Sequence, residues 1–345
     1  MTHRIARVLA ALCLLAAASM LGCGGDDDSD PASASEDTTT TVASETTETA
    51  PEPKVTKLTE AGATRIETSG DWLAAGDGAV WLSDRKEIDR LDPKTGKQQA
   101  VTPVSAGPCG GIDVAFGSVW TATCLKGGLA RIDTGSNSVE QVPLEVPRQV
   151  RGGESSVGAG EGGVWLVLDG DGCQACALAK VDPESMKVDA KIPIEPGGAG
   201  VRVGYGSVWV TNPDADVLQR VDPASEKVVG TYEVGEAPRY LAVGEGGVWT
   251  LNQVEGSISH VDPDTGDVVA TIPAELVGAG GDITTGAGAV WAKGTYTTLV
   301  RIDPKTDRVV EKFDGEGGSG SVVVADDAVW LSASVENVLW RLPLN

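Results

Sequence analysis

Histidine is almost absent from this chain, with two in 345 residues, and one of them is His3. His260 is therefore the single imidazole left downstream for acid–base or metal chemistry. Basic residues are also sparse, 27 Lys plus Arg against 50 Asp plus Glu, for a formal net charge of −23. A surface of that sign repels polyanions, which excludes nucleic acid and anionic lipid as general surface partners. Long apolar runs are missing too. The longest, Val8 to Leu21, is Ala- and Leu-rich and too short for a membrane span.

That run has the form of a targeting segment, since His3, Arg4 and Arg7 precede it and a small residue ends it. Met20-Leu21-Gly22-Cys23 resembles the lipobox of bacterial lipoproteins. The resemblance implies a signal peptide over 1–22, cleavage before Cys23 and diacylation of its thiol, and so an extracytoplasmic domain anchored to the bacterial cell membrane. Residues 24–53 hold nine acids, no base and one large apolar side chain, Val42. Such a segment buries too little to offset its ordering entropy, and its like charges extend it, so 23–53 is expected to be a disordered tether. Without the signal and tether, which carry two bases and nine acids, 25 bases face 41 acids in 54–345, a net charge of −16.

The remainder is repetitive. A Val-Trp pair recurs at 80–81, 119–120, 164–165, 208–209, 248–249, 290–291 and 329–330, with Trp-to-Trp spacings of 39, 45, 44, 40, 42 and 39. Seven of nine tryptophans occupy this one column, in a chain with two phenylalanines. A period near forty, with short apolar runs between glycines, is that of a four-stranded propeller blade. The predicted fold is all-β, a seven-bladed β-propeller of four-stranded antiparallel blades spanning 54–345.

Two turns repeat with the strands. Glycine stands three residues before Trp in six units, at 78, 117, 162, 206, 246 and 288, where a two-residue hairpin needs positive φ. Asp327 holds that place in the seventh unit and is expected to adopt the same conformation. Asp-Pro at 92–93, 182–183, 222–223, 262–263 and 303–304, with Asp133-Thr134 as the variant, marks the turn between third and fourth strands. The acids of Asp262-Pro-Asp-Thr-Gly-Asp invite a calcium-loop reading, but their recurrence in a hairpin column favours turn chemistry. The seventh unit ends before a fourth strand. Residues 54–60 resemble the fourth strand beginning at Asp307, so they are expected to close the ring by pairing N- and C-terminal strands in the last blade.

The unit Arg220-Val-Asp-Pro through Ala237-Pro-Arg-Tyr-Leu-Ala-Val-Gly-Glu-Gly-Gly-Val-Trp249 resembles the YVTN and virginiamycin B lyase-like propellers of bacteria. For the lyase, the resemblance implies His and Glu side chains with a magnesium ion on one face of the ring. This chain has only His260, in a column that elsewhere holds Arg90, Arg131, Lys180, Arg220 and Arg301. A structural role for His260 and a non-catalytic domain are expected, with no cofactor required. The alternative is a metal-dependent lyase or lactonase-type enzyme acting on the variable loops.

Four cysteines remain outside the signal, an even number that favours disulfides in this compartment. With Phe116-Gly117 as the turn, Cys109 and Cys124 should face each other across the hairpin. Cys173 and Cys176 form a C-x-x-C in a loop with no thioredoxin-like helix, so a local staple is expected. Asp169-Gly-Asp-Gly beside them is read as a turn rather than a calcium site.

Both pairs fall on the end of the ring that carries inter-blade loops and second-to-third-strand loops, which vary in length and charge. Function on a repeat scaffold concentrates on such loops. Candidate ligand-binding residues there are Arg148, Arg151, Asn212, Arg239, Tyr240, Asn252 and Lys293. Arg and Asn around a concave mouth suit a carboxylate or a sugar. The partner is thus an unidentified small molecule or envelope protein.

Overall fold

The computed structural model describes residues 52–124, 127–144 and 156–344. They form seven sheets, six of four strands and one of five, in the order of a seven-bladed propeller. In blades 1–6 the strands run in sequence from the centre outward. Blade 1, for example, comprises Trp72–Gly76, Ala79–Ser83, Glu87–Leu91 and Gln98–Pro103.

The Val-Trp column lies on each second strand, and all seven indoles are at most 2% exposed. Six of them donate Nε1–H to the carbonyl five residues earlier, from Trp81 to Gly76 through Trp291 to Gly286. That bond anchors the indole over the hairpin at its own blade's inner end. On its other side a cation covers the ring: Arg90 over Trp81, Lys180 over Trp165, Arg220 over Trp209, Arg301 over Trp291 and Arg341 over Trp330, at 5.4–5.9 Å.

These bases also fasten each blade to the next. Arg90 donates to the Thr134 carbonyl, Arg131 to Pro183, Lys180 to Pro223, Arg220 to Asp264 and Arg341 to Pro93. Each acceptor lies in the Asp turn of the following blade. His260 takes the same position in blade 5, stacked on Trp249 at 3.8 Å with Nδ1 2.8 Å from Asp307 Oδ1. It substitutes for a base, as its column implied. Blade 7 has no such turn because its outer strand arrives from the other end of the chain. Arg301 accordingly pairs with Glu311 in its own blade.

Ring closure uses different residues from those expected. The outer strand of blade 7 is Thr64–Glu67, antiparallel to Val338–Pro343. Lys54–Lys57 instead forms a fifth strand on blade 6, parallel to Arg308–Asp314. Leu58, 1% exposed, plugs the seam between these blades against Trp291, Phe313 and Leu331. The chain then turns and re-enters as Thr64–Glu67, so both blades are tied to the amino-terminal segment.

Two smaller expectations are corrected. Asp327 does not take positive φ; its neighbour Asp326 does, at 52°, and the Asp327 carboxylate accepts from Arg341 instead. Trp72 and Trp340, outside the column, are buried too, at 8% and 4% exposure. The Cys109–Cys124 bond is present with Cα atoms 4.8 Å apart, but the simple register does not place it. Pairing holds from Ala115↔Ser118 to Ile112↔Thr121, then a bulge shifts it to Pro108↔Thr123, and Cys124 N–H donates to Gly107. The bridge therefore crosses the ladder diagonally.

Candidate functional site: the mouth of the ring

The two ends of the ring differ in chemistry. One end is a set of repeated turns. At Asp77-Gly78 both residues have positive φ, 49° and 71°, and a Cβ on Gly78 would meet nothing, so conformation alone selects glycine there. In the outer turns Asp92, Asp133, Asp182, Asp222, Asp262 and Asp303 accept backbone N–H groups two or three residues on. Hydroxyl bonds from Thr95, Ser136, Ser185 and Ser225, with the backbone bonds second, hold Asp92, Asp133, Asp182 and Asp222 below the usual range, and backbone bonds lead at Asp262 and Asp303.

The opposite end carries both disulfides, Cys109–Cys124 and Cys173–Cys176. Asp169 there accepts the Ala175 N–H, which is turn chemistry. Arg148 and Arg151, proposed from sequence, lie outside the described residues.

A small cavity of about 20 Å³ opens at this end, over the inner strands. Its walls include Trp72, Ser156, Gly200, Arg202, Arg239 and Tyr240. Trp72 and Tyr240 pack as tilted rings with centroids 5.8 Å apart. Arg239 Nε donates to Gln253 Oε1 at 3.0 Å, while the Arg239 carbonyl is held by Thr211 Oγ1 at 2.9 Å. A Cβ on Gly200 would come within 2.5 Å of that carbonyl, so glycine permits the approach of blades 4 and 5. Arg202 Nη1 donates to Ser156 Oγ and to the Val157 and Val201 carbonyls.

Arg202 also caps a larger central channel of about 350 Å³. Its inner-strand lining is mostly Ala, Val, Ile and Thr, interrupted by Arg202, Asp113 and Asp282. Burial pushes both carboxyls up, and the field of Arg202 opposes that rise. Asp282 is further held by Ser321 Oγ and the Val322 N–H.

The sequence-derived candidates separate into two groups. Arg239 and Tyr240 reach the mouth. Asn212, Asn252 and Lys293 are fully buried. Asn212 donates to the Glu195 and Pro196 carbonyls and accepts from Asp214 N and Ala215 N. Asn252 is spent on Thr250, Ser257 and Ser259. Lys293 donates to the Ser332 carbonyl; burial lowers its pKa to about 8, opposed by Asp71, Asp282 and Glu336. These three side chains fasten loops and inner strands and offer no free edge to a ligand.

Trp72 and Arg202 were missed. The signal for Arg202 is its place opposite the column Trp of its blade, where the other inner strands carry Ala74, Asp113, Gly158, Ala242, Thr284 and Val323. Arg202 and Asp113 are the two charges of that column, of opposite sign and facing one channel, and they stand out once the units are aligned.

No group of three or more His, Cys, Asp or Glu is arranged to hold a metal among the described residues. His260 sits at the turn-bearing end, away from the mouth.

No protein-family profile matches the chain, and no curated protein matches it in sequence. Solved structures do resemble it in fold. The Neurospora crassa Pan2 WD40 domain superposes with a TM-score of 0.63 at 11% identity, covering 82% of this chain and 96% of that one. BamB from Moraxella catarrhalis superposes with a TM-score of 0.58 at 13% identity, covering 81% and 86%. At such identities the likeness defines the class of protein as a β-propeller and extends no further.

Proposed function

We propose that this protein is a lipid-anchored, extracytoplasmic binding module of the YVTN and virginiamycin B lyase-like kind, which engages its partner through the variable end of the ring without catalysing a reaction. One observation carries the reading. The turn-bearing end is built from repeated structural motifs, whereas the other end opens on a cavity walled by an aromatic pair and two arginines. A rigid ring presenting one irregular concave face is the usual arrangement for recognition on a repeat scaffold.

Signal peptide 1–22, anchor Cys23 and tether 23–53 supply the address. The acidic tether would hold the mouth away from the lipid surface by self-repulsion. The test of anchoring is fractionation of cells producing Cys23→Ser. The variant is expected in the medium or the soluble envelope fraction, whereas the parent stays with membranes. Equal membrane partition of both would overturn the anchored reading. The binding half is tested by hydrogen–deuterium exchange, in which envelope material should protect backbone amides at the variable end of the ring and leave the turn-bearing end unchanged.

A further inference from the structure

We infer that the mouth is a seat for a single carboxylate group, held between Arg202 and Arg239 against the Trp72–Tyr240 wall. The inference rests on the binding-module reading and specifies the ligand chemistry of that same face.

The donors come first. Arg239 uses Nε on Gln253, which leaves its two terminal nitrogens without a partner among the described residues. Arg202 commits only Nη1, leaving the Nε and Nη2 edge. No carboxylate among the described residues forms an ion pair with either guanidinium, although acids outnumber bases nearly two to one. Elsewhere Arg65, Arg131, Arg301 and Arg341 pair with Glu or Asp, while Arg90 and Arg220 spend their donors on carbonyls and a hydroxyl. Arg202 faces Asp113 and Asp282 across the channel, so Arg239 is the cation at this cavity with no anion among the described residues, and a ligand carboxylate would supply one.

A second, independent observation concerns buried donors. Trp72 lines the cavity, is 8% exposed, and its buried Nε1–H has no acceptor. Gln253, 7% exposed and bonded to Arg239 through Oε1, has its Nε2 buried without an acceptor. An unsatisfied buried donor is costly; six of the nine tryptophans find a carbonyl, and Trp72 shares its lack of one with Trp330 and Trp340. Both are N–H groups on residues at or next to the mouth, Trp72 on the cavity wall and Gln253 bonded to Arg239.

Size and charge then choose among anions. A cavity of about 20 Å³ admits little beyond one small polar group. Asp113 and Asp282 act on Arg202 from the channel side, which leaves the neighbourhood suited to a monoanion and unfavourable to a phosphate dianion. A sugar would need acceptors and a longer platform, and the asparagines that might have supplied them are spent inside the fold. Arginine forks match the planar carboxylate bidentately, and the aromatic pair accommodates the apolar body behind it.

The carboxylate can belong to a free organic acid or to a peptide C-terminus. The test follows indole N–H resonances of the full mature chain by nitrogen-15 NMR, with Trp72 assigned through Trp72→Phe. Probes are benzoate, benzamide, inorganic phosphate, and a short Gly-Ala peptide with a free or an amidated C-terminus. Benzoate should move the Trp72 indole N–H downfield and saturate, while benzamide and phosphate leave it in place. Arg239→Ala should weaken benzoate by about tenfold or more while the other indole resonances stay put, which excludes misfolding. Tighter saturation by the free-acid peptide than by benzoate, with no response to its amide, would assign the source to a chain terminus. The reverse order would assign it to a small acid.

Equal responses to benzoate and benzamide would overturn the carboxylate seat while leaving the mouth a binding site. No response of Trp72 to either acid would overturn the seat outright. The binding-module reading is judged separately by amide protection, so the two can fail independently.

Discussion

Asp89 is the residue where burial and charge conflict most plainly. It is 7% exposed on a third strand, its Oδ1 has no donor, and burial raises its pKa to about 6 from 3.8. The folded state therefore binds a proton that the unfolded state has lost between about pH 4 and 6, and stability falls as pH rises through that window. Asp89→Asn should raise Tm at pH 7, on the order of 2–4 °C, and have little effect at pH 4. Thermal melts at the two pH values check this; an equal shift at both would mean that the charge is not the cause. The six turn aspartates have the opposite sign. Their depressed pKa values contribute stability above the unfolded value, and it is lost as pH falls below about 4.

At the scale of elements, the Trp column was legible because a blade needs one large apolar side chain at a fixed place in its second strand. Trp209 is fully buried among Leu218, Leu241 and Val248. Truncation to Ala should cost about 3–5 kcal/mol by urea unfolding. Trp72→Ala should cost less, because that ring borders an open cavity and leaves its N–H unsatisfied. Equal losses would show that the column is not a special seam.

The closing strand was less legible. Residues 54–60 and 64–67 both carry alternating patterns, and similarity to the strand at Asp307 favoured the first. Strand pairing separates them: Thr64–Glu67 runs antiparallel to Val338–Pro343, while Lys54–Lys57 lies parallel to the outer strand Arg308–Asp314. A chain beginning at Leu58 should retain most of its urea midpoint. One beginning at Thr68 should lose the outer strand of blade 7 and fall well below it. Indistinguishable midpoints would contradict the pairing of Thr64–Glu67 with Val338–Pro343.

For the whole molecule, periodicity made the ring, the blade count and the split between a repetitive and an irregular end readable from composition and spacing. The site was only half readable. Arg239 and Tyr240 open an inner strand, and their proximity to the mouth follows from that. Asn212, Asn252 and Lys293 end second strands near the same mouth, yet each turns into the loops and backbone around it. A strand position specifies depth in the ring but not whether neighbouring carbonyls will claim the side chain. Arg202 stayed hidden because its importance depends on Asp113 and Asp282, which lie 89 and 80 residues away and meet it only across the closed channel.

The central claim is that recognition occurs at the variable end. Hydrogen–deuterium exchange of the full chain, with and without an extract of envelope proteins and metabolites, tests it most directly. Protection is predicted around 199–202, 237–241, 253–256 and 294–298, with the turns at 77–78, 92–97 and 262–267 unchanged. Protection confined to those turns, or absent from both ends, would contradict it.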